Sequence, residues 1–179
     1  MKYVKKDKRG VSPVIAVILL VAITIVMAAV IASFIYGYTG TLKANPNLGG
    51  KLEDYKYDRL KDGEDDTVAI LTLTSGENIP EEDIVIMVQY INESSNITTD
   101  TLDGASLSDG TFVNMSNSYI DVRWDDADGS DDVSPGDVFI FKENSNNEND
   151  EVKRNSDFRV KISYKPTSTV LIDYIVNVR

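Results

Sequence analysis

The side chains that carry most covalent and acid–base chemistry near neutral pH are missing, since the chain has no Cys and no His. Thiolate nucleophiles, imidazole bases, Ser-His-Asp triads, disulfide frameworks and Cys/His metal or haem sites are thereby excluded. Three features remain that could do or receive chemistry. The run Asp125-Asp126-Ala127-Asp128-Gly129-Ser130-Asp131-Asp132 has the oxygen density of a calcium loop. It does not fit an EF-hand: with Gly129 at the sixth loop position, the first is Trp124 and the last is Pro135, and neither is a ligand. A looser calcium site stays open beside the plainer reading, a solvated acidic loop like Asp62-Gly63-Glu64-Asp65-Asp66 and residues 144–151. No residue is assigned to a metal and no cofactor is expected. The sequons Asn92-Glu93-Ser94, Asn96-Ile97-Thr98 and Asn114-Met115-Ser116 can accept N-glycans if this part of the chain lies outside the cell. The third feature is Lys8-Arg9-Gly10-Val11, where a basic segment meets an apolar stretch and glycine leaves the backbone unhindered.

The elements that must position these residues are set by charge. The 179-residue chain has a net charge of -11, but the charge is divided very unevenly. Residues 1–10 hold Lys2, Lys5, Lys6, Lys8 and Arg9 against Asp7 alone; residues 11–42 hold no charge; residues 43–179 hold 13 basic and 28 acidic side chains. An acidic body repels phosphates, so nucleic acid is not an expected partner.

From Val14 to Ile35 the only polar side chains are Thr24 and Ser33. A helix of this length, at ~1.5 Å per residue, reaches about 33 Å and spans the hydrocarbon of a bilayer. Ser12 and Pro13 suit its N-cap and first turn, Gly37 and Gly40 suit its end, and Tyr36 and Tyr38 suit a membrane interface. The basic head predicts an inside N-terminus and an outside body. Ala28 to Ala32, Ala29 to Ser33 and Ser33 to Gly37 repeat at four-residue spacing, a small-residue stripe that lets helices approach closely, although alanine is common in any apolar helix. A secretory signal peptide cleaved near Val30-Ile31-Ala32, a permanent signal anchor, and a processed assembly helix are all compatible with this pattern.

The junction Lys8-Arg9-Gly10-Val11-Ser12-Pro13-Val14-Ile15-Ala16-Val17, continued by Ala22-Ile23-Thr24 and Ala28-Ala29-Val30-Ile31-Ala32, resembles the class III signal peptide and mature N-terminus of archaeal type IV pilins. The resemblance covers residues 5–40. It implies cleavage by a prepilin peptidase between Gly10 and Val11 on the cytoplasmic side, with Ser12-Pro13 keeping the helix from extending back over the cut. It implies handling by a pilus assembly platform and polymerisation into an extracellular adhesion filament. Val14, Ile15, Val17, Ile18, Leu19, Leu20, Ala28, Ala29, Ala32, Ser33, Phe34 and Gly37 would then face one another in the filament core. Bacterial type IV pilins and many archaellins carry glutamate at the fifth mature position, where this chain has Ile15. That favours a pilus over an archaellum and leaves the Val11 amine without the usual partner.

The expected organisation is a leader over residues 1–10, an apolar helix over 11–40, a connector over 41–50 containing Asn45-Pro46-Asn47 and Gly49-Gly50, and a β-rich head over 51–179. Strand-like runs are predicted at Lys51–Leu60, Thr67–Thr74, Ile84–Ile91, Ser118–Trp124, Asp137–Phe141, Phe158–Tyr164 and Thr169–Val178. Turns are expected at Ser134-Pro135-Gly136-Asp137 and Lys165-Pro166-Thr167-Ser168, and a loop over 92–110. The fold class is therefore α+β: one long apolar helix, then an antiparallel sandwich-like head, immunoglobulin-like or a small barrel. A Gly-Asp strand start and a final Pro-containing hairpin over residues 133–179 resemble the archaeal pilin domain more loosely. The expected function is structural, not enzymatic, with two alternatives: a membrane-anchored extracellular binding module, or a minor pilin-like assembly component.

Overall fold

A stretch without charge, in which two hydroxyls are the only polar side chains, can satisfy its backbone without water only by bonding internally. In the computed structural model, which describes residues 13–39, 45–54, 67–115, 120–144 and 152–179, it does so as helix α1, Pro13–Thr39. The chain divides into two units, Met1–Lys43 and Ala44–Arg179. The helix runs through Gly37 rather than ending there, because a single glycine weakens a helix by only about 1 kcal/mol and does not stop it. Gly40 lies outside the described residues.

The second unit is built from β1 (Leu48–Asp54), β2 (Thr67–Gly76), β3 (Ile79–Pro80), β4 (Ile84–Ile91), β5 (Ile97–Asp103), β6 (Phe112–Asn114), β7 (Ile120–Asp125), β8 (Asp132–Val133), β9 (Val138–Glu143), β10 (Asp157–Tyr164) and β11 (Thr169–Asn177). Among the described residues the sheets are antiparallel, in the orders β1-β2-β9-β7-β6, β11-β10-β4-β5 and a short β3-β8 pair. Alternation decides the facing. In β4 and β10 every second residue is buried, so Ile84, Ile86, Val88 and Tyr90 share the interior with Phe158, Val160, Ile162 and Tyr164. From the other sheet come Leu71, Leu73, Ile120, Val122, Trp124, Phe139 and Phe141. The two large sheets therefore stack as a sandwich around one core. Phe141 of β9 meets Phe158 of β10 edge to face across it, with ring centroids 5.7 Å apart.

The α+β class and the sandwich-like head are as expected, and the strand bounds are refined. Leu48–Gly50, assigned to the connector, pair with Leu73–Gly76 as the start of β1. Their glycines allow close approach: a Cβ on Gly50 would stand 2.6 Å from the Thr72 carbonyl oxygen. Asn47 is also tied in, since its carbonyl accepts from the Glu77 amide at 2.9 Å. The remainder of the Lys51–Leu60 run, residues 55–60, and the first two residues of the Ser118–Trp124 run lie outside the described residues. The loop expected over 92–110 contains β5, which pairs along its whole length with β4. Both expected turns are present: Gly136 takes φ 113°, and the Ser168 amide donates to the Lys165 carbonyl at 3.3 Å.

Phe158 is fully buried and touches both Phe141 and Tyr90. Phe158→Ala should destabilise a fragment spanning residues 44–179 by about 3–5 kcal/mol. Urea titration followed by fluorescence of the single tryptophan, Trp124, measures this.

Candidate functional site

The apolar residues of α1 are spread around all its faces, and none of Pro13–Phe34 is buried within the chain. Val14, Ile15, Val17, Ile18, Leu19, Leu20 and Phe34, all expected in an assembly core, are between 55% and 75% exposed. Ala28, Ala29 and Ser33 are exposed and Ala32 is half-buried, while Gly37 lies within the bounds of α1. The processing residues Lys8, Arg9, Gly10 and Val11 lie outside the described residues.

The two hydroxyls on this surface are satisfied from within. Thr24 Oγ1 donates to the Val21 carbonyl at 2.8 Å, and Ser33 Oγ donates to the Ala29 carbonyl at 2.9 Å. Pro13–Phe34 therefore presents only apolar contact to its surroundings. Each Val, Leu, Ile or Phe withdrawn from water gains roughly 1.5–3 kcal/mol, so this surface demands a bilayer or other protein.

In the head, the acidic loop is held by its own carboxylates. Asp126 Oδ1 accepts from the amides of Asp128 at 3.0 Å and Gly129 at 2.9 Å, and Oδ2 accepts from Asp131 at 3.1 Å. Asp128 Oδ1 accepts from the Ser130 amide at 3.0 Å. Partial desolvation works to raise the Asp126 pKa, but these backbone donors prevail and hold it below the usual carboxylate value. Among the described residues no three carboxylates converge on a point where a cation could sit. The Asp126 carboxylate and Asp128 Oδ1 are turned onto backbone amides of the loop.

Behind this loop lies a carboxylate whose role its sequence context does not reveal. Asp137, fully buried, accepts from Trp124 Nε1 at 3.0 Å and the Ser134 amide at 2.8 Å through Oδ2, and from the Ala127 amide at 3.0 Å through Oδ1. It fastens β7, the acidic loop and the Ser134–Asp137 turn at one point. Sequence reading marks Asp137 only as part of a Gly-Asp strand start. The sole signal pointing further is a tryptophan thirteen residues upstream.

Residues 9–49 match the family described as archaeal type IV pilin, N-terminal. That segment resembles the N-terminus of an archaeal type IV pilin. The pilin segment takes in the junction at Gly10, all of α1 and the first two residues of β1. An uncharacterised protein of Archaeoglobus fulgidus is 60% identical over 42 residues, a stretch amounting to 24% of this chain and 30% of that protein. The match supports a pilin-like subunit.

The sequons of the head occupy different settings. Asn92 is nearly buried at the end of β4, Asn96 is exposed before β5, and Asn114 is exposed in β6; Ser116, which completes the third sequon, lies outside the described residues.

Asp137→Ala would strand two buried donors, Trp124 Nε1 and the Ser134 amide, and should cost about 2–5 kcal/mol. Urea denaturation of residues 44–179 checks this, with Asp126→Ala at the exposed loop as the milder control.

The pH dependence also has a definite sign. Asp103, hydrogen-bonded by Lys165, and Asp173, hydrogen-bonded by Arg159, are held below the ordinary carboxylate pKa, as is Asp126. Each favours the folded state above the unfolded value of about 3.9 and loses that contribution as pH falls through its lower folded value. Glu81, raised by partial desolvation and by Asp131, Glu82 and Asp132, acts in the opposite direction near its own pKa. With three groups against one, stability of residues 44–179 should decline as pH falls below about 4, and thermal melts between pH 2 and pH 7 measure the decline.

Proposed function

We propose that this chain is the precursor of a major structural subunit of an archaeal type IV adhesion pilus. A prepilin peptidase cuts between Gly10 and Val11 and removes the basic leader. The apolar helix anchors the precursor in the cytoplasmic membrane with its N-terminus inside and its head outside. An assembly platform then withdraws it from the bilayer as neighbouring helices replace the lipid. Repetition of one heterologous contact that does not close into a ring gives the filament. The head is displayed on the outer surface, carries N-glycans and serves attachment. The chain catalyses nothing.

The observation that carries this reading is the exposed, uncharged surface of Pro13–Phe34 inside a segment that matches the pilin N-terminus. A permanent anchor would need the same apolar length, but it would not need Gly10 next to a basic pair and ahead of Ser12-Pro13. Ile15 is compatible with a pilus, since the helix then enters the bundle with no carboxylate to desolvate.

Gly10→Phe should abolish cleavage and surface filaments while leaving the chain in the membrane. Immunoblotting of membrane and sheared-surface fractions, with N-terminal sequencing of the surface protein, gives the answer. Val11 at the start of the fibre protein supports the proposal. Met1 retained in a chain found only in membranes favours the anchored binding module, and a trace amount in fibres built of another subunit favours a minor pilin-like component.

A further inference from the structure

We propose that Asn96 is the N-glycosylated residue among the three sequons, and that Asn92 is a structural asparagine that presents it. The inference rests on the outward placement of the head proposed above and on the geometry of the turn between β4 and β5.

Asn92 is 7% exposed and forms a bridge with Val152. Its Oδ1 accepts from the Asn96 amide at 2.9 Å, its own amide donates to the Asn96 carbonyl at 3.0 Å, and its carbonyl accepts from the Ser95 amide at 2.8 Å. The turn is closed by Ser95 at φ 63° and tethered by Lys153, whose Nζ donates to Ser95 Oγ at 2.9 Å. At 7% exposure Asn92 leaves little room for a sugar on Nδ2 unless the side chain whose Oδ1 closes the turn is displaced. Asn114 is exposed, but its Nδ2, the atom that a glycan would occupy, donates to Asp121 Oδ1 at 2.7 Å across the β6-β7 pair.

Asn96 has neither constraint. It is exposed, its backbone is fixed by Asn92, and its side chain makes no hydrogen bond to any described residue. The sequon then runs into β5, where Thr98 pairs with Tyr90 and so holds the third sequon position at a fixed distance from the amide. The donor is an activated glycosyl phosphate on a lipid carrier. A bond forms between the sugar anomeric carbon and Asn96 Nδ2, the bond from that carbon to the phosphate oxygen breaks, the phosphate leaves with the electron pair, and Nδ2 gives up one proton.

Glycopeptide mass spectrometry of the full-length chain from its native host tests this, since cleavage after Glu93 and after Asp103 puts Asn92, Asn96 and Asn114 on three different peptides. A glycan mass on the Asn96 peptide with none on the Asn92 peptide is expected. It should vanish in Asn96→Gln and persist in Asn92→Asp, which keeps the Oδ1 acceptor while destroying the sequon. A glycan on Asn92, a glycan on Asn114 with Asn96 bare, or no glycan at any of the three overturns the inference. The pilus proposal stands or falls separately: a glycosylated Asn96 on a chain that keeps Met1 in the membrane sinks the pilus alone, and a bare Asn96 in fibres beginning with Val11 sinks the glycan alone.

Discussion

The constraint on which everything else depends is that α1, past its first turn, has almost no means of bonding with water along the run to Phe34. Beyond its first turn its backbone is paired internally, Thr24 and Ser33 donate to their own helix, and no charge occurs between Val11 and Leu42. A helix with that accounting can exchange one apolar environment for another without breaking a hydrogen bond. Ile15 extends the argument. A carboxylate there would be costly in lipid or in a helical bundle unless paired, and an isoleucine removes that requirement altogether. On the reading proposed above, the passage from membrane to filament is then a change of packing partners with little change in polar bonding.

The head follows the opposite logic, since its apolar side chains are turned inward and its polar groups organise the surface. Two carboxylates at almost adjacent sites illustrate the division. Asp126, in water, folds a loop by collecting amide hydrogens, and Asp137, out of water, joins that loop to the indole of Trp124 and to the turn beginning at Ser134. The acidity of this region is therefore structural in part: some of its negative charge caps backbone that would otherwise lack partners. A cluster of aspartates in sequence looks like a cation site because both need oxygens, and the directions in which those oxygens point separate the two cases.

Legibility in the sequence tracked how strongly one face is buried. In β4 and β10 the inward positions are all apolar, so the period of two marks both strands plainly and fixes their facing. In β5 the inward positions are Thr98, Asp100 and Leu102, two of them polar, and the outward positions include Ile97; the alternation is scrambled at an edge strand that has only β4 beside it. Gly49 and Gly50 mislead for another reason. Glycine marks either freedom or crowding, and here a neighbouring carbonyl leaves no space for a side chain. The helix was legible because a long uncharged apolar run has no competing explanation of comparable length. Asp137 was not, since its partners come together only after β7 and the following turn have folded.

The family match ends at residue 49, just inside β1, and that boundary separates two kinds of specification. Contact between apolar helices depends on shape and on the absence of charge, so one helical segment can serve whatever domain follows it. A sandwich head is held by its own core, so its outer surface can take on unrelated tasks. The turn at Asn92–Asn96 shows how such a surface is differentiated: the asparagines of two sequons, four positions apart, differ in burial and in hydrogen bonding, and on the inference drawn above that difference assigns them opposite roles. A motif states which atoms are available in principle, and the packing around it decides which of them an enzyme can reach.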